Sequence, residues 1–226
     1  MKIVNSFNTD YHIHSLNFSD GFSTIDEITR YAGECGLKEI AITDHSQEVI
    51  DFAHETKKFY NTSIRVLVNR WKNPYNDVNV IFGVEGDLLN QNGDCCFHIS
   101  GFEPEFVILS AHNRIYKSDP ETVTKGTIKA IEKYHEKIKF IAHPCNNNDF
   151  GKYYDIEKLV EVANEYKIPL EFNAKNLYYN KTNLVKLDYL LKNTNEVYLN
   201  TDTHMLWEMK ETKVNAIKFL NDNKYI

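Results

Sequence analysis

The chain has no Lys/Arg cluster longer than a pair, and 26 basic against 32 acidic residues give a formal net charge of −6. A large nucleic-acid footprint needs a basic patch or stripe, so this composition argues against one. It does not argue against a phosphate substrate, because bound divalent cations would offset the acidic balance locally. The four cysteines, Cys35, Cys95, Cys96 and Cys145, show no CxxC spacing and read as reduced thiols of a cytosolic protein. No stretch reaches the roughly 20 apolar residues of a membrane span. The opening MKIVNSFNTD lacks the apolar segment of a signal peptide, so a cytoplasmic location is expected. GxGxxG and GxxxxGK[ST] loops are absent, which lowers the nucleotide-binding folds. Internal repeats, low-complexity tracts and Pro/Gly linkers are missing as well. A chain of 226 residues, 42% hydrophobic and rich in Tyr and Phe, then reads as one domain over 1–226 with one sizeable core.

What is present is an alternation. Short apolar runs at 38–44, 78–86, 105–112, 138–144, 168–174 and 197–204, beside the opening FNTDYHIH, read as strands. Segments of helical length lie between them. In 23–36, Ser23 or Thr24 can cap, Ile25, Ile28 and Ala32 repeat at helical spacing, and Gly36 stops the helix. Residues 118–137 and 155–167 carry the same periodicity, and GDCCFHIS at 93–100 pairs back as a hairpin. Strand then helix, repeated about seven times with continuously apolar strands, implies an α/β fold around a parallel sheet. A closed βα barrel and an open doubly wound sheet both satisfy this.

The strand ends carry the chemistry. DYHIH, AITDH, FGVEGD, LSAHN, IAHP and NTDTH each finish in a metal-capable side chain. In parallel α/β folds these ends meet at one mouth. His12, His14, His45, Glu85, His112, His143, Asp202 and His204 are therefore expected to converge from across the chain. Six of the nine histidines stand at such positions; His54, His98 and His135 do not, and read as structural. Alternation along DYHIH sets Asp10, His12 and His14 on one strand face. A lone histidine at a strand end is usually a surface or hydrogen-bonded residue, and a lone Glu85 could pair with a buried lysine. Six such coincidences at one rim would leave a dense polar cluster without counter-ligands, which is costly.

HxH, SDG, TDH, a strand Glu, AH, AHP and a final DxH, in this order over residues 8 to 205, resemble the motifs of the PHP (polymerase and histidinol phosphatase) superfamily. The resemblance implies a distorted (β/α)7 TIM-like barrel with a trinuclear metal site. It implies that His12, His14, Glu85 and Asp202 hold one metal, and that Glu85 bridges to a second held with His112 and His143. A third would lie on Asp20, His45 and His204. Asp20 comes from a loop, so strand ends alone do not reveal it, and some members carry His there.

The ligands are nitrogen and oxygen donors, which suits up to three Zn, Mn or Fe ions and not a closed thiolate site. Cys145, just after HP, reads as a small loop residue. Asp10 and Asp44 precede ligands and are expected to orient imidazoles. Clustered divalent ions lower the pKa of a bound water and clamp phosphate oxygens, so phosphate-ester hydrolysis is the leading reaction class, with Glu85, Asp202 and His204 at its centre. A water in the site or His204 would protonate the leaving group. Arg114 and Lys175, in loops facing the mouth, are candidates for the substrate phosphate. A small phosphorylated substrate, such as histidinol phosphate or a nucleotide, fits a chain without basic stripes. The alternatives are a phosphodiesterase or exonuclease, for which only RVLVNRWKNPY at 65–75 has a suitable flavour, and a non-catalytic metal-binding module.

Overall fold

The computed structural model describes residues 1–5, 7–56 and 64–226, the side chains of residues 54–56 excepted. Its strands are β1 (Lys2–Ile3), β2 (Thr9–Ile13), β3 (Glu39–His45), β4 (Asn79–Leu88), β5 (Cys95–Cys96), β6 (Phe106–Ser110), β7 (Ile138–Ile141), β8 (Leu170–Asn173) and β9 (Glu196–Asn200). The helices are α1 (Ile25–Glu34), α2 (Gln47–Thr56), α3 (Ile64–Arg70), α4 (Val123–Tyr134), α5 (Ile156–Tyr166), α6 (Ala174–Tyr178), α7 (Leu184–Asn193) and α8 (Glu208–Asp222). The expected strands and helices are all there, with ends shifted by a few residues. Thr24 caps α1 in a reciprocal capping box with Glu27, and Gly36 follows the helix at φ +77°. Asp155 and Asn183 cap α5 and α7 through their side chains. The 93–100 segment forms the expected hairpin: β5 runs antiparallel to β4 at Cys96–Asp87 and Cys95–Leu88.

The sheet order is β1-β9-β8-β7-β6-β4-β3-β2, parallel throughout apart from β5. It curls until β2 meets the chain leaving β9, through the parallel bridge Ile13–Thr203. Seven strands (β2, β3, β4, β6, β7, β8 and β9) thus surround the interior, which resolves the open alternative in favour of a distorted (β/α)7 TIM-like barrel. Tyr11 of β2 stacks on Phe106 of β6 at 5.3 Å and meets Tyr198 of β9 edge-on at 5.7 Å. Because β2 and β6 are not neighbours in the sheet, Tyr11 reaches Phe106 across the barrel. With Phe140, stacked on Tyr198 at 4.7 Å, these rings fill its lower layer. Leu, Ile and Val from β6 to β9 pack outward against α4, α5, α7 and α8, while Ile13, Ile40 and Ile42 pack against Ile28 and Ala32 of α1.

Side chains, more than backbone, close the seam between β2 and β9. Asn5 bonds both ways with the Leu199 backbone, and Asn200 Oδ1 accepts from Tyr11 N. Asp10 accepts from Thr201 N and Oγ1, at 3.2 and 2.7 Å. A register shift in β2 between Asp10 and Ile13 breaks simple alternation. Asp10 therefore does not share a face with His12 and His14. It faces Thr201 and Lys213 of α8, whose Nζ lies 3.9 Å from Asp10 Oδ2 and donates to Thr9 O. Both side chains are buried, and burial pushes the Asp10 carboxyl up and the Lys213 ammonium down. Lys213→Met leaves that carboxylate without its counter-charge, and we expect a stability loss of about 3 kcal/mol in urea unfolding. A loss below ~1 kcal/mol would show that this pair does not hold the seam.

Candidate metal centre

The seven barrel strands deliver their polar residues to one mouth. His12 lies near the end of β2 with His14 just beyond it, His45 ends β3, Glu85 lies within β4, and His112 and His143 stand two residues past β6 and β7. Asp202 and His204 follow β9. His143 and Asp202 sit at φ +33° and +52°, so strained backbone turns both residues after their strands. Asp20 arrives on the loop before α1, which presses against β2: a Cβ on Gly21 would stand 2.2 Å from the His14 carbonyl oxygen. Only glycine permits that approach.

All nine expected residues come together, and Glu85 lies at their centre. Its Oε1 is 2.8 Å from His143 Nε2, 3.5 Å from His12 Nε2 and 3.6 Å from His112 Nε2. Its Oε2 is 2.9 Å from His45 Nδ1 and 3.5 Å from His14 Nε2. Among the described residues no lysine pairs with it. Asp202 Oδ1 lies 3.4 Å from His14 Nε2 and 3.8 Å from His12 Nε2, and Asp20 Oδ1 lies 3.4 and 3.1 Å from His45 and His204 Nε2. Four overlapping groups could each hold an ion: His14, Asp20, His45 and His204; His12, His143 and Asp202; His12, His14 and Glu85; and His45, Glu85 and His112. His12, His14 and His45, as well as Glu85, each fall in two groups, so the division among ions is less separated than the motif resemblance implies.

Fixed protonation explains why these atoms suit a cation. His12 Nδ1 donates to Glu171 Oε1 at 2.8 Å and His112 Nδ1 to Asp87 Oδ1 at 2.7 Å, which turns both Nε2 lone pairs toward Glu85. His12 Nε2, His14 Nε2, His45 Nδ1 and Glu85 Oε2 are buried without a well-aligned hydrogen bond among the described residues, close as His45 Nδ1 and Glu85 Oε2 are. Such orphans are rare in folded proteins, and acceptors facing one another call for positive charge between them. Protons are the substitute. Burial would lower the His12 and His45 pKa values, yet carboxylates, led by Glu171 for His12 and Glu85 for His45, hold both well above the ordinary value; Glu85 and Asp87 bring His112 up to about 9. Burial opposes ionisation of Glu85 and Asp202, but the imidazoles around Glu85, and Lys175 with His12 beside Asp202, keep both well below the carboxylate range. His14 goes the other way, lowered by burial and by His204 and His45.

The orienting carboxylates are not the expected ones. Asp10 serves the seam, and Asp44 accepts from Ser15 N and Oγ, both at 2.6 Å, pinning the chain after His14; burial raises it to about 7. Asp87 and Glu171 orient the imidazoles instead. Each is an acidic residue in an apolar strand, as Glu85 is, and that shared oddity is the signal by which sequence could have found them. Ser19 lies 3.1 Å from His14 Nδ1.

The cluster floors a cavity of about 780 Å³. Arg114 and Lys175 both line it. Lys175 Nζ is 2.8 Å from Asp202 Oδ1 and donates to His204 Nδ1 at 3.0 Å, whereas Arg114 is exposed. Cys145 is packed in the core, its thiol raised to about 12 by burial, and joins no group of ligands. His135 ends α4 against the ring of Tyr166, and His98 lies outside all four groups. The side chain of His54 lies outside the described residues. In the 65–75 stretch, Arg65 donates to Gly101 O and Trp71 Nε1 to Asp26, while Tyr75 lies under Arg30. Those groups serve the fold. Among the described residues no helix is long and apolar enough to cross a membrane.

The chain belongs to the PHP domain family, which matches residues 10–200. A protein of Shewanella loihica named "Probable phosphatase" is 28% identical over 169 residues, and one of Shewanella piezotolerans with the same name is 29% identical over 169. Each alignment covers 74% of this chain but 64% of the relative's length. A solved structure from Listeria monocytogenes, a candidate histidinol phosphatase, shares the fold at 13% identity with a TM-score of 0.55, covering 92% of this chain and 99% of that one.

We expect Asp87→Asn and Glu171→Gln to weaken zinc binding by roughly 10–100-fold each, read by competition with a chromogenic chelator. Unchanged affinity in both would mean that these carboxylates do not set the imidazoles for a metal.

Proposed function

We propose that this chain is a metal-dependent hydrolase of phosphate esters, acting on a small phosphomonoester. The buried, unpartnered atoms of His12, His14, His45 and Glu85, all aimed at one space, are the observation that carries this reading. His12, His14, Glu85 and Asp202 would hold one divalent ion; Glu85, His112 and His143 a second; Asp20, His45 and His204 a third. Zn, Mn and Fe suit this nitrogen and oxygen set. Such ions supply Lewis acidity toward phosphate oxygens and lower the pKa of a water. The protein's own part is to fix the ligands, with Asp87, Glu171 and Ser19 setting imidazole orientation. It also keeps cations where the phosphate arrives. Lys175 is at the cluster edge after β8, and Arg114 follows β6, two strands along the sheet, with no ion pair among the described residues. The names of the Shewanella relatives support the same reaction class. The fold-serving contacts of Arg65 and Trp71 weigh against a nucleic-acid groove at 65–75.

Glu85→Gln keeps the side-chain shape and removes the charge shared among five imidazoles. Phosphatase turnover should fall by at least ~100-fold and metal content should drop with it. His135→Gln, remote from the cluster, should change neither. The reading fails if Glu85→Gln keeps full activity and metal.

A further inference from the structure

The cavity is far larger than a phosphate group, and its walls differ. One is apolar: Val49, Ile50 and Phe52 on α2, Leu16 and Phe18 on the loop after β2, and Ile115. Leu16 is 53% and Phe52 36% exposed, so this wall presents apolar side chains to the cavity. Beneath them, Phe18, Ile50 and Ile99 belong to one packed cluster with Ile25, Ile64 and Val84, so the wall is backed by core and is not a loose flap.

Another wall is polar and partly satisfies itself. Asn113 Nδ2 donates to Asn148 O at 2.8 Å, Asn146 Nδ2 to Asp149 Oδ2 at 2.9 Å, and Asn148 N to Asn146 Oδ1 at 3.0 Å. Among the cavity groups with hydrogen-bonding capacity to spare are two donors. Arg114 has no partner among the described residues, and Asn176, 4% exposed, carries a buried Nδ2 without one. Spare donors suit the oxygens of a phosphate. A hydroxyl-rich body packed on the apolar side chains of α2 would leave its own donors unpaired there.

Resting on the phosphatase reading above, we propose that the apolar wall formed by α2 and the loop after β2 is the leaving-group subsite, and that the substrate is a phosphomonoester of an alcohol with an apolar or aromatic body. The phosphate lies at the metal cluster with Lys175, Arg114 and Asn176 donating to its oxygens. The carbon skeleton lies along Ile50 and Phe52. Sugar phosphates are the poorer class, because each hydroxyl buried there without a partner costs roughly tenfold in affinity.

The test compares primary alkyl esters of matched leaving-group acidity: 2-phenylethyl phosphate, glycerol 3-phosphate and ribose 5-phosphate, with the metal-loaded full chain. We expect kcat/KM for the phenylethyl ester to exceed that for the other two by at least ~10-fold, carried mainly by KM. Phe52→Ser and Ile50→Asn should bring the ratio toward one. Binding of 2-phenylethylphosphonate against methylphosphonate, measured by calorimetry on wild-type protein, gives the same comparison without turnover or a variant that must fold. There too a ratio of at least ~10 is expected. Equal kcat/KM for all three esters, or equal binding of the two phosphonates, would overturn the subsite while leaving phosphatase activity standing. Hydrolysis of none of them, with metal bound, would overturn the phosphatase reading and the subsite with it.

Discussion

One buried carboxylate sets the terms for this mouth of the barrel. Glu85 has no exposure and, among the described residues, meets no lysine and no arginine; its neighbours are the nitrogens of five histidines drawn from β2, β3, β6 and β7 or the turns after them. Around it stand four further carboxylates, Asp20 and Asp202 beside the imidazoles and Asp87 and Glu171 behind them, against, among the described residues, a single ammonium, Lys175. Such a concentration of acceptors in a low-dielectric interior is unstable unless positive charge enters it. Protons on the imidazoles are one source of that charge, and divalent cations are a better one, because each ion satisfies several acceptors at once. Neutral imidazoles let many ligands crowd together without the mutual repulsion that as many carboxylates would suffer.

The barrel is built so that this polar layer can exist. Its lower half is closed by the rings of Tyr11, Phe106, Phe140 and Tyr198, and its outer face is covered by helices, so the polar residues need not contribute to the core. The seam is the weak place. There β2 must point Tyr11 and His12 inward, release Asp10 outward and still close against β9. The register shift achieves the first two. The side chains of Asn5, Asp10 and Asn200 supply hydrogen bonds that the backbone ladder lacks, and Asp10 is in turn held by Thr201 and Lys213. Structure at the seam and chemistry at the mouth therefore share five residues of chain.

Much of this was legible in sequence, for a physical reason. Parallel strands with both faces covered must be apolar, so a histidine or carboxylate at a strand end stands out, and the topology of a parallel sheet says that such ends meet. His45, Glu85, His112, His143 and Asp202 are visible in that way. Asp20 is not, because a loop carries it, and Gly21 explains its placement only once the approach to His14 is seen. The role of Asp10 differs from the expected one because alternation assumes a regular strand, and a register shift leaves no mark in the residues themselves. Asp87 and Glu171 follow the same logic as Glu85, yet each needs a knowledge of which imidazole lies behind it. Closure over a doubly wound sheet depends on contacts of Tyr11 with Phe106 and with Tyr198, far away along the chain, which periodicity does not encode.

The central claim is that Glu85 and its histidines are a binding site for several metal ions. Anomalous diffraction from crystals of metal-loaded protein, collected at the Zn, Mn and Fe absorption edges, tests it most directly. The account requires at least two anomalous peaks within about 2.0–2.3 Å of the Glu85 carboxylate and the imidazole nitrogens facing it. A third is expected beside Asp20. A map with no peak in this cluster, or with metal bound only elsewhere on the chain, would contradict it.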